Sequence, residues 1–278
     1  KSKTTISQDN YYFGLLLKED KAHCLVIKKS GKNVVIIDEL AVTYSNGWEN
    51  LLEDTDEALT LLEQRNKIDL RQTIIFLYSH FVDEANGKIK NEYFEKIKAL
   101  LKNLELRPLG YIECYEGIIE ALSQKEGLII NTILIELDVS QLTFFIFKNG
   151  KKVFMTHVGR TESVTNDILA ALAKLKEKIL LPSRVLIYDS GNLTNEMAEI
   201  ISYHWSENYF IQPPKVEVIK QDELLRQLVA VFEKQALEEE KLPLKETAVE
   251  VEKAQPEVMG FKIGGDVEMP QQEKPLPI

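Results

Sequence analysis

Apolar and polar positions alternate along the chain in a way that predicts two similar runs of strands and helices. The first run opens with three strand-like stretches: "YYFGLLLK" (11–18), "HCLVIKK" (23–29) and, after the turn Ser30-Gly31-Lys32, "NVVIIDELAV" (33–42). Dense β-branched and aromatic residues between turn formers are the signature of strands. A helix is predicted over about 48–65, with Leu51, Leu52, Leu59, Leu61 and Leu62 on its apolar face. "TIIFLYS" (73–79) has the length of a buried strand, and the loop "HFVDEANGK" leads to an amphipathic helix near 91–104. In that helix Tyr93, Phe94, Ile97, Leu100, Leu101 and Leu104 recur at helical spacing. "LGYIECY" (109–115) then reads as a strand and "EGIIEALSQ" as a short helix.

The order repeats from about residue 126. Strands are predicted near 131–138, 141–148 and 152–158, then a helix over 162–178 carrying Ile168, Leu169, Leu172, Leu175 and Ile179. "RVLIYD" (184–189) is a strand, 194–205 a helix, "KVEVI" (215–219) a strand, and 222–239 a helix with Leu224, Leu225, Leu228, Val229, Phe232 and Leu237. The hairpins "LVIKKSGKNVV" and "FIFKNGKKVF" both set a Gly-Lys turn between apolar strands. Such a duplication predicts two related α/β halves facing each other across a cleft. The expected organisation is a flexible N-terminus (1–10), a first half (11–125), a second half (126–237) and an acidic, Pro- and Glu-rich tail (238–278). Within that tail "VMGFKIGG" is an apolar island, read either as a chance cluster or as a docking segment.

Composition narrows the function classes. The chain has 278 residues, 44% of them hydrophobic, and a formal charge of −10. That charge speaks against nucleic-acid binding, which needs clustered Lys and Arg. No apolar run has the length of a membrane-spanning helix, and no apolar segment follows the N-terminal residues as in a secretion signal. The first residue is not Met, so an excised domain whose parent chain continues past Ile278 is expected. Cys24 and Cys114 are expected to be buried reduced thiols. His23, His80, His157 and His204 are dispersed without metal-ligand spacing, so no metal site is expected from them. Neither a G-x-S-x-G elbow nor a G-x-x-x-x-G-K-[ST] loop is present. Asp54, Asp56 and Glu57 are expected on an exposed helix face. Tyr203, His204, Trp205, Tyr209 and Phe210 form an aromatic cluster, read as core packing or as a partner-binding patch.

A duplicated meander with helices, opened in each half by a strand and turn, resembles the actin-like ATPase superfamily, with its duplicated RNase H-like α/β fold. "VFMTHVGRTESVTNDILAAL", with its apolar-Gly step at Gly159, and "LRPLGYIECYEGIIEAL" resemble family segments after the second hairpin and between the halves. Small bacterial members are most similar: the cell-division actin homologue, the type IV pilus-assembly protein and membrane-anchored actin-like chains of small-genome bacteria.

The family's phosphate loops read Asp-x-Gly followed by hydroxyl residues, the acid placing a metal ion and the glycine letting backbone N–H groups approach phosphate. Here the first loop aligns as Leu16-Leu17-Lys18 followed by Glu19-Asp20-Lys21. The second aligns either as Glu136-Leu137-Asp138 or as Asp138-Val139-Ser140 with Thr143 as hydroxyl. The adenosine-side glycine pair aligns with Ser190-Gly191-Asn192, of which only one glycine remains.

With the metal acid and both close-approach glycines departing from the pattern, the resemblance implies a degenerate, non-catalytic scaffold with no cofactor. Its expected place is the cytoplasmic, inner face of the membrane, with membrane association through a partner or the continuing chain. The ligand would be a protein partner or a segment of the same chain, with Gly260, Phe261, Tyr203 and Trp205 as candidate contacts. The alternative is a slow ATPase or nucleotide switch using ATP and Mg, with Glu19, Asp20, Glu136, Asp138, Ser140, Thr143, Gly159, Ser190 and Gly191 at the site.

Overall fold

The computed structural model describes residues 10–127, 129–176, 180–189 and 191–239. In the first half, β1 (Asn10–Leu17), β2 (Lys21–Ser30) and β3 (Asn33–Thr43) form an antiparallel meander, and a short β4 (Ser45–Trp48) follows it in the chain. After α1 (Leu51–Asn66), strand β5 (Gln72–Leu77) pairs parallel to β1. A 3₁₀ turn (Ser79–Phe81) and a small hairpin of β6 (Val82–Asp83) and β7 (Lys88–Ile89) occupy the predicted loop. Then come α2 (Asn91–Asn103), β8 (Arg107–Glu113) and α3 (Cys114–Glu126). The sheet order is β3-β2-β1-β5-β8.

The second half repeats this plan. Strands β9 (Thr132–Leu137), β10 (Gln141–Lys148) and β11 (Lys151–Gly159) form the meander. They are followed by α4 (Val164–Leu172), β12 (Arg184–Tyr188), α5 (Thr194–Ser202), β13 (Lys215–Ile219) and α6 (Gln221–Glu239). The order β11-β10-β9-β12-β13 matches the first sheet strand for strand. At the second hairpin both Asn149 (φ 52°) and Gly150 (φ 74°) take positive φ, the two-residue geometry that joins twisted strands without splaying them.

Several boundaries differ from the sequence reading for local reasons. "LGYIECY" stops being a strand at Glu113, whose carboxylate caps α3 while Glu116 reaches back to the Glu113 N–H at 3.3 Å. The helix predicted over 162–178 ends at Leu172. There Lys174 N bonds Ala171 O and Leu175 N bonds Leu172 O, tightening the last turn; Ile179 lies outside the described residues. The helix predicted to 205 stops at Ser202 because Tyr203 is extended and the Trp205 indole donates to Ile200 O at 2.8 Å, folding the chain back. Leu61 is exposed; Ala58 and Thr55 share the inner face of α1 with Leu51, Leu59 and Leu62. Asp54 does more than solvate α1, since it accepts bonds from both Ser45 N (2.8 Å) and Ser45 Oγ.

Two apolar cores result. One lies within the second half, around Ile133, Ile135, Phe144 and Ile168. The other spans the first sheet and continues into the second half through Leu134, Phe145, Leu186, Tyr188 and α6. Helix α6 turns Leu224, Leu225, Leu228, Val229 and Phe232 inward, and Phe232 meets Tyr12 edge to face at 5.2 Å; the side chain of Leu237 lies outside those described. Helices α3 and α6 touch at Gly117, where a Cβ would sit 2.9 Å from Leu228 Cδ2, so glycine sets how closely they pack. Cys24 and Cys114 are buried free thiols, and burial pushes Cys24 up to about 12. Among the described residues no helix is long and apolar enough to cross a membrane.

Candidate functional site

Strands β1 and β9 occupy corresponding central places in their sheets, so the turns that follow them meet between the halves. The turns are Lys18-Glu19-Asp20 and Asp138-Val139-Ser140, closed by matching bonds: Lys18 N to Lys21 O and Asp138 N to Gln141 O, both 2.9 Å. Lys18 therefore corresponds to Asp138. Glu136 and Leu137 remain in the strand, and the turn itself is Asp138-Val139-Ser140.

The two turns interlock. Glu19 N donates to Asp138 Oδ2 at 3.2 Å, while Ser140 N and Ser140 Oγ donate to the two Glu19 carboxylate oxygens at 2.6 Å each. Val139 N bonds Asp138 Oδ1 at 2.9 Å. Arg160, just past Gly159, buttresses the second turn: its N–H bonds Ser140 O at 2.9 Å and its guanidinium donates to Asp138 O at 3.1 Å.

Lys18 lies beneath this clasp, 1% exposed. Its ammonium donates to Asp189, stands 3.8 Å from Asp138 Oδ1 and sits over the Tyr78 ring. A buried ammonium needs such compensation, and here acids from the ends of β9 and β12 supply it. Trp48 fixes the lysine backbone by donating to Lys18 O at 2.8 Å.

His80, 3% exposed, points its Nε2 into the gap between the turns. It lies 3.5 Å from Glu19 Oε1 and 3.5 Å from Asp138 Oδ2 and makes no hydrogen bond there. Burial, reinforced by His157, Lys90 and Lys18, lowers His80 to about 3, so the imidazole is neutral. Burial pushes Asp138 up to about 7, against the opposing pull of Lys18. Glu136 is fully buried between the halves, accepting from Ser79 N at 2.7 Å and from the Tyr188 hydroxyl. Burial raises it to about 8 in spite of those two donors.

The remaining sequence candidates are distributed unevenly. Thr143 is buried with its hydroxyl 3.0 Å from His157 Nδ1. Asp20 turns away toward Lys21 at 3.4 Å. Gly159 ends β11 in open space, so no close approach requires its lack of a side chain. Gly191 is exposed and lies beside Asp189. Ser190, Gly260 and Phe261 lie outside the described residues. Tyr203 meets Trp205 edge to face at 4.7 Å and is 40% exposed, whereas Trp205 packs against the second core beside Phe210.

Thus Glu19, Asp138 and Ser140 come together at the junction of the two turns. Lys18, His80, Asp189 and Arg160 complete the cluster; the sequence names Lys18 only as a loop position lacking glycine and His80 only as a dispersed histidine. A lysine directly after the apolar run "FGLLL" was the one local signal.

The resemblance implies a site for a magnesium nucleotide, and these residues do not fit one. The N–H groups of Lys18, Glu19, Asp138, Val139 and Ser140 are all bonded within the clasp, leaving none of the five for a phosphate. Neither turn contains glycine, and the Lys18 ammonium is held beneath by Asp189 and Asp138 rather than presented to a phosphate.

Neither a scan of family models nor a search of curated proteins finds a match for this sequence. Among solved structures the chain is similar to a Bacteroides thetaiotaomicron protein described as having an actin-like ATPase fold and unknown function. That likeness has 13% identity and a TM-score of 0.50, over 83% of this chain and 99% of the other. Similarity extends to the PPX-GPPA enzyme of Aquifex aeolicus (11% identity, TM-score 0.40, 71% and 74% covered). It also extends to ethanolamine utilization protein EutJ of Carboxydothermus hydrogenoformans (12%, 0.39, 83% and 71%). Identities this low speak to fold alone. With its two matched sheets and flanking helices, the chain has the actin-like ATPase fold.

Proposed function

We propose that this chain is a non-catalytic actin-like scaffold whose cleft clasps its own halves together in place of a nucleotide. The observation that carries this reading is the mutual capture of the two turns: Glu19 takes both Ser140 donors, and Asp138 takes the Glu19 N–H. Phosphoryl transfer in such a cleft depends on free donors and a metal positioned for the phosphates, and the clasp has committed the donors. A triphosphate would also face the Glu19 and Asp138 carboxylates at close range, with the nearby Lys18 ammonium already paired to Asp189 and Asp138.

The sequence resemblance to pilus-assembly and cell-division actin homologues supports a place on the cytoplasmic side of a membrane-associated pilus or envelope assembly system. There the domain would dock a partner segment. Exposed Tyr203 supports a contact at the tip of α5, and Gly260-Phe261 is the proposed contact in the tail.

Isothermal titration of the chain with ATP and magnesium is expected to show no binding tighter than about 1 mM, and phosphate release no faster than buffer. Micromolar binding that disappears in Asp138→Ala would sink the scaffold reading in favour of a slow ATPase.

A further inference from the structure

The geometry points to a site for one divalent first-row metal ion of the Zn²⁺ class, held by His80 Nε2, Glu19 Oε1 and Asp138 Oδ2 and stapling the two halves across the cleft. Glu19 and His80 come from the first half and Asp138 from the second, so the ion would join what the hydrogen-bonded clasp already brings together. The inference rests on a cleft without nucleotide, and it differs from a metal delivered on phosphates because every ligand is a protein side chain.

The three ligand atoms lie within 4.8 Å of one another. The imidazole nitrogen is 3.5 Å from each carboxylate oxygen. Tetrahedral coordination with bonds of about 2.1 Å separates neighbouring ligands by about 3.4 Å, so these pairs are spaced as donors around a shared ion.

Acidic clusters are common without metals, but His80 adds an independent signal. Its Nε2 is buried, lacks a hydrogen bond and is aimed between the two carboxylates. An orphaned buried nitrogen is costly unless something fills the position it faces. A neutral imidazole is the ligating form, and burial enforces it here. One nitrogen with two carboxylates suits Zn²⁺ or its neighbours better than Mg²⁺ or Ca²⁺, which seek six or more oxygens.

Charge and orientation agree with this. Two carboxylates balance a dication, and Lys18 approaches Asp138 by the other oxygen, Oδ1, while sharing itself with Asp189. Outer contacts fix each ligand: Ser140 holds Glu19, the Glu19 N–H holds Asp138, and the Phe81 ring packs on His80 at 4.0 Å. Tetrahedral coordination by three protein ligands would be completed by water.

The test uses the full chain stripped with chelator and titrated with Zn²⁺ in the absence of nucleotide. One equivalent is expected to bind at micromolar affinity or tighter and to raise the melting temperature. His80→Ala should weaken binding about 100-fold or more, whereas His204→Ala, at an exposed histidine, should leave it unchanged. In case His80→Ala folds poorly, Co²⁺ added to the wild-type chain gives a second reading. Intense visible d–d absorption, displaced by Zn²⁺, marks a tetrahedral mixed nitrogen and oxygen site, and a pale hexa-aquo spectrum overturns the proposal. Equal uptake by wild type and a folded His80→Ala variant, or no uptake by the wild type, overturns it as well. Either result leaves the closed cleft standing, while ATP binding overturns the closed cleft whatever Zn²⁺ does.

Discussion

Lys18→Ala is expected to destabilise the chain by about 3–5 kcal/mol, the range for removing one partner of a buried ion pair. The lysine is 1% exposed, the Asp138 side chain it faces is fully buried, and Asp189 is only partly accessible. Taking the ammonium away strands acids at the junction of both sheets. The same change lifts the cation over Tyr78 and empties the volume of a four-carbon stem. Lys18→Met separates the two costs, because it keeps most of the volume and still removes the charge. Adding Asp138→Asn to Lys18→Met should recover part of the loss, since a neutral amide needs no buried counter-charge. Urea denaturation of the three variants reads this directly. A Lys18→Met variant within about 0.5 kcal/mol of wild type, the range of ordinary surface changes, would show that the lysine does not compensate the acids.

The second large effect is expected at Glu136. Its carboxyl is raised to about 8 by burial, well above its usual 4.5, so the folded chain holds this proton more tightly than the unfolded chain. The contribution to stability is therefore complete below about pH 4.5 and is lost as pH rises through 8. Glu136→Gln keeps the shape and an oxygen for Ser79 N but cannot ionise. It should match wild type near pH 5 and exceed it near pH 9. Glu136→Ala removes the acceptor of both Ser79 N and the Tyr188 hydroxyl inside the core. It should cost about 2–4 kcal/mol at pH 5, from the cavity and the two stranded donors. Denaturation of the three proteins at both pH values is the check. A Gln-minus-wild-type difference that stays flat between pH 5 and pH 9 would contradict a buried, proton-holding carboxyl.

The fold was largely legible because each half buries its strands in short apolar runs between turn residues. β10 (141–148) and β13 (215–219) match the sequence reading residue for residue. The shortfalls lie where local bonding decides, as at the tightened end of α4 and the Trp205 fold-back after α5. β6 and β7 are two residues each, too short to leave a period.

The site was legible only in part. Glu19, Asp138 and Ser140 could be named because they stand at loop positions of a known pattern. Lys18 read simply as a missing glycine, yet its ammonium is the centre of charge beneath the clasp. His80 had no readable partner, because Asp138 lies 58 positions away and reaches it only through the pairing of the two halves. Glu136 did carry a signal, an acid inside the run "ILIEL", which marks a buried carboxyl more naturally than a phosphate-loop residue.

Amide hydrogen exchange at Glu19 and Ser140 tests the central claim, that the cleft is closed by its own residues, most directly. Both N–H groups donate to carboxylates across the junction, at 3.2 Å and 2.6 Å, so both should exchange slowly. Magnesium and ATP should leave their rates unchanged. Rapid exchange at both positions that slows when the nucleotide is added would mean an open phosphate site, and would contradict the account.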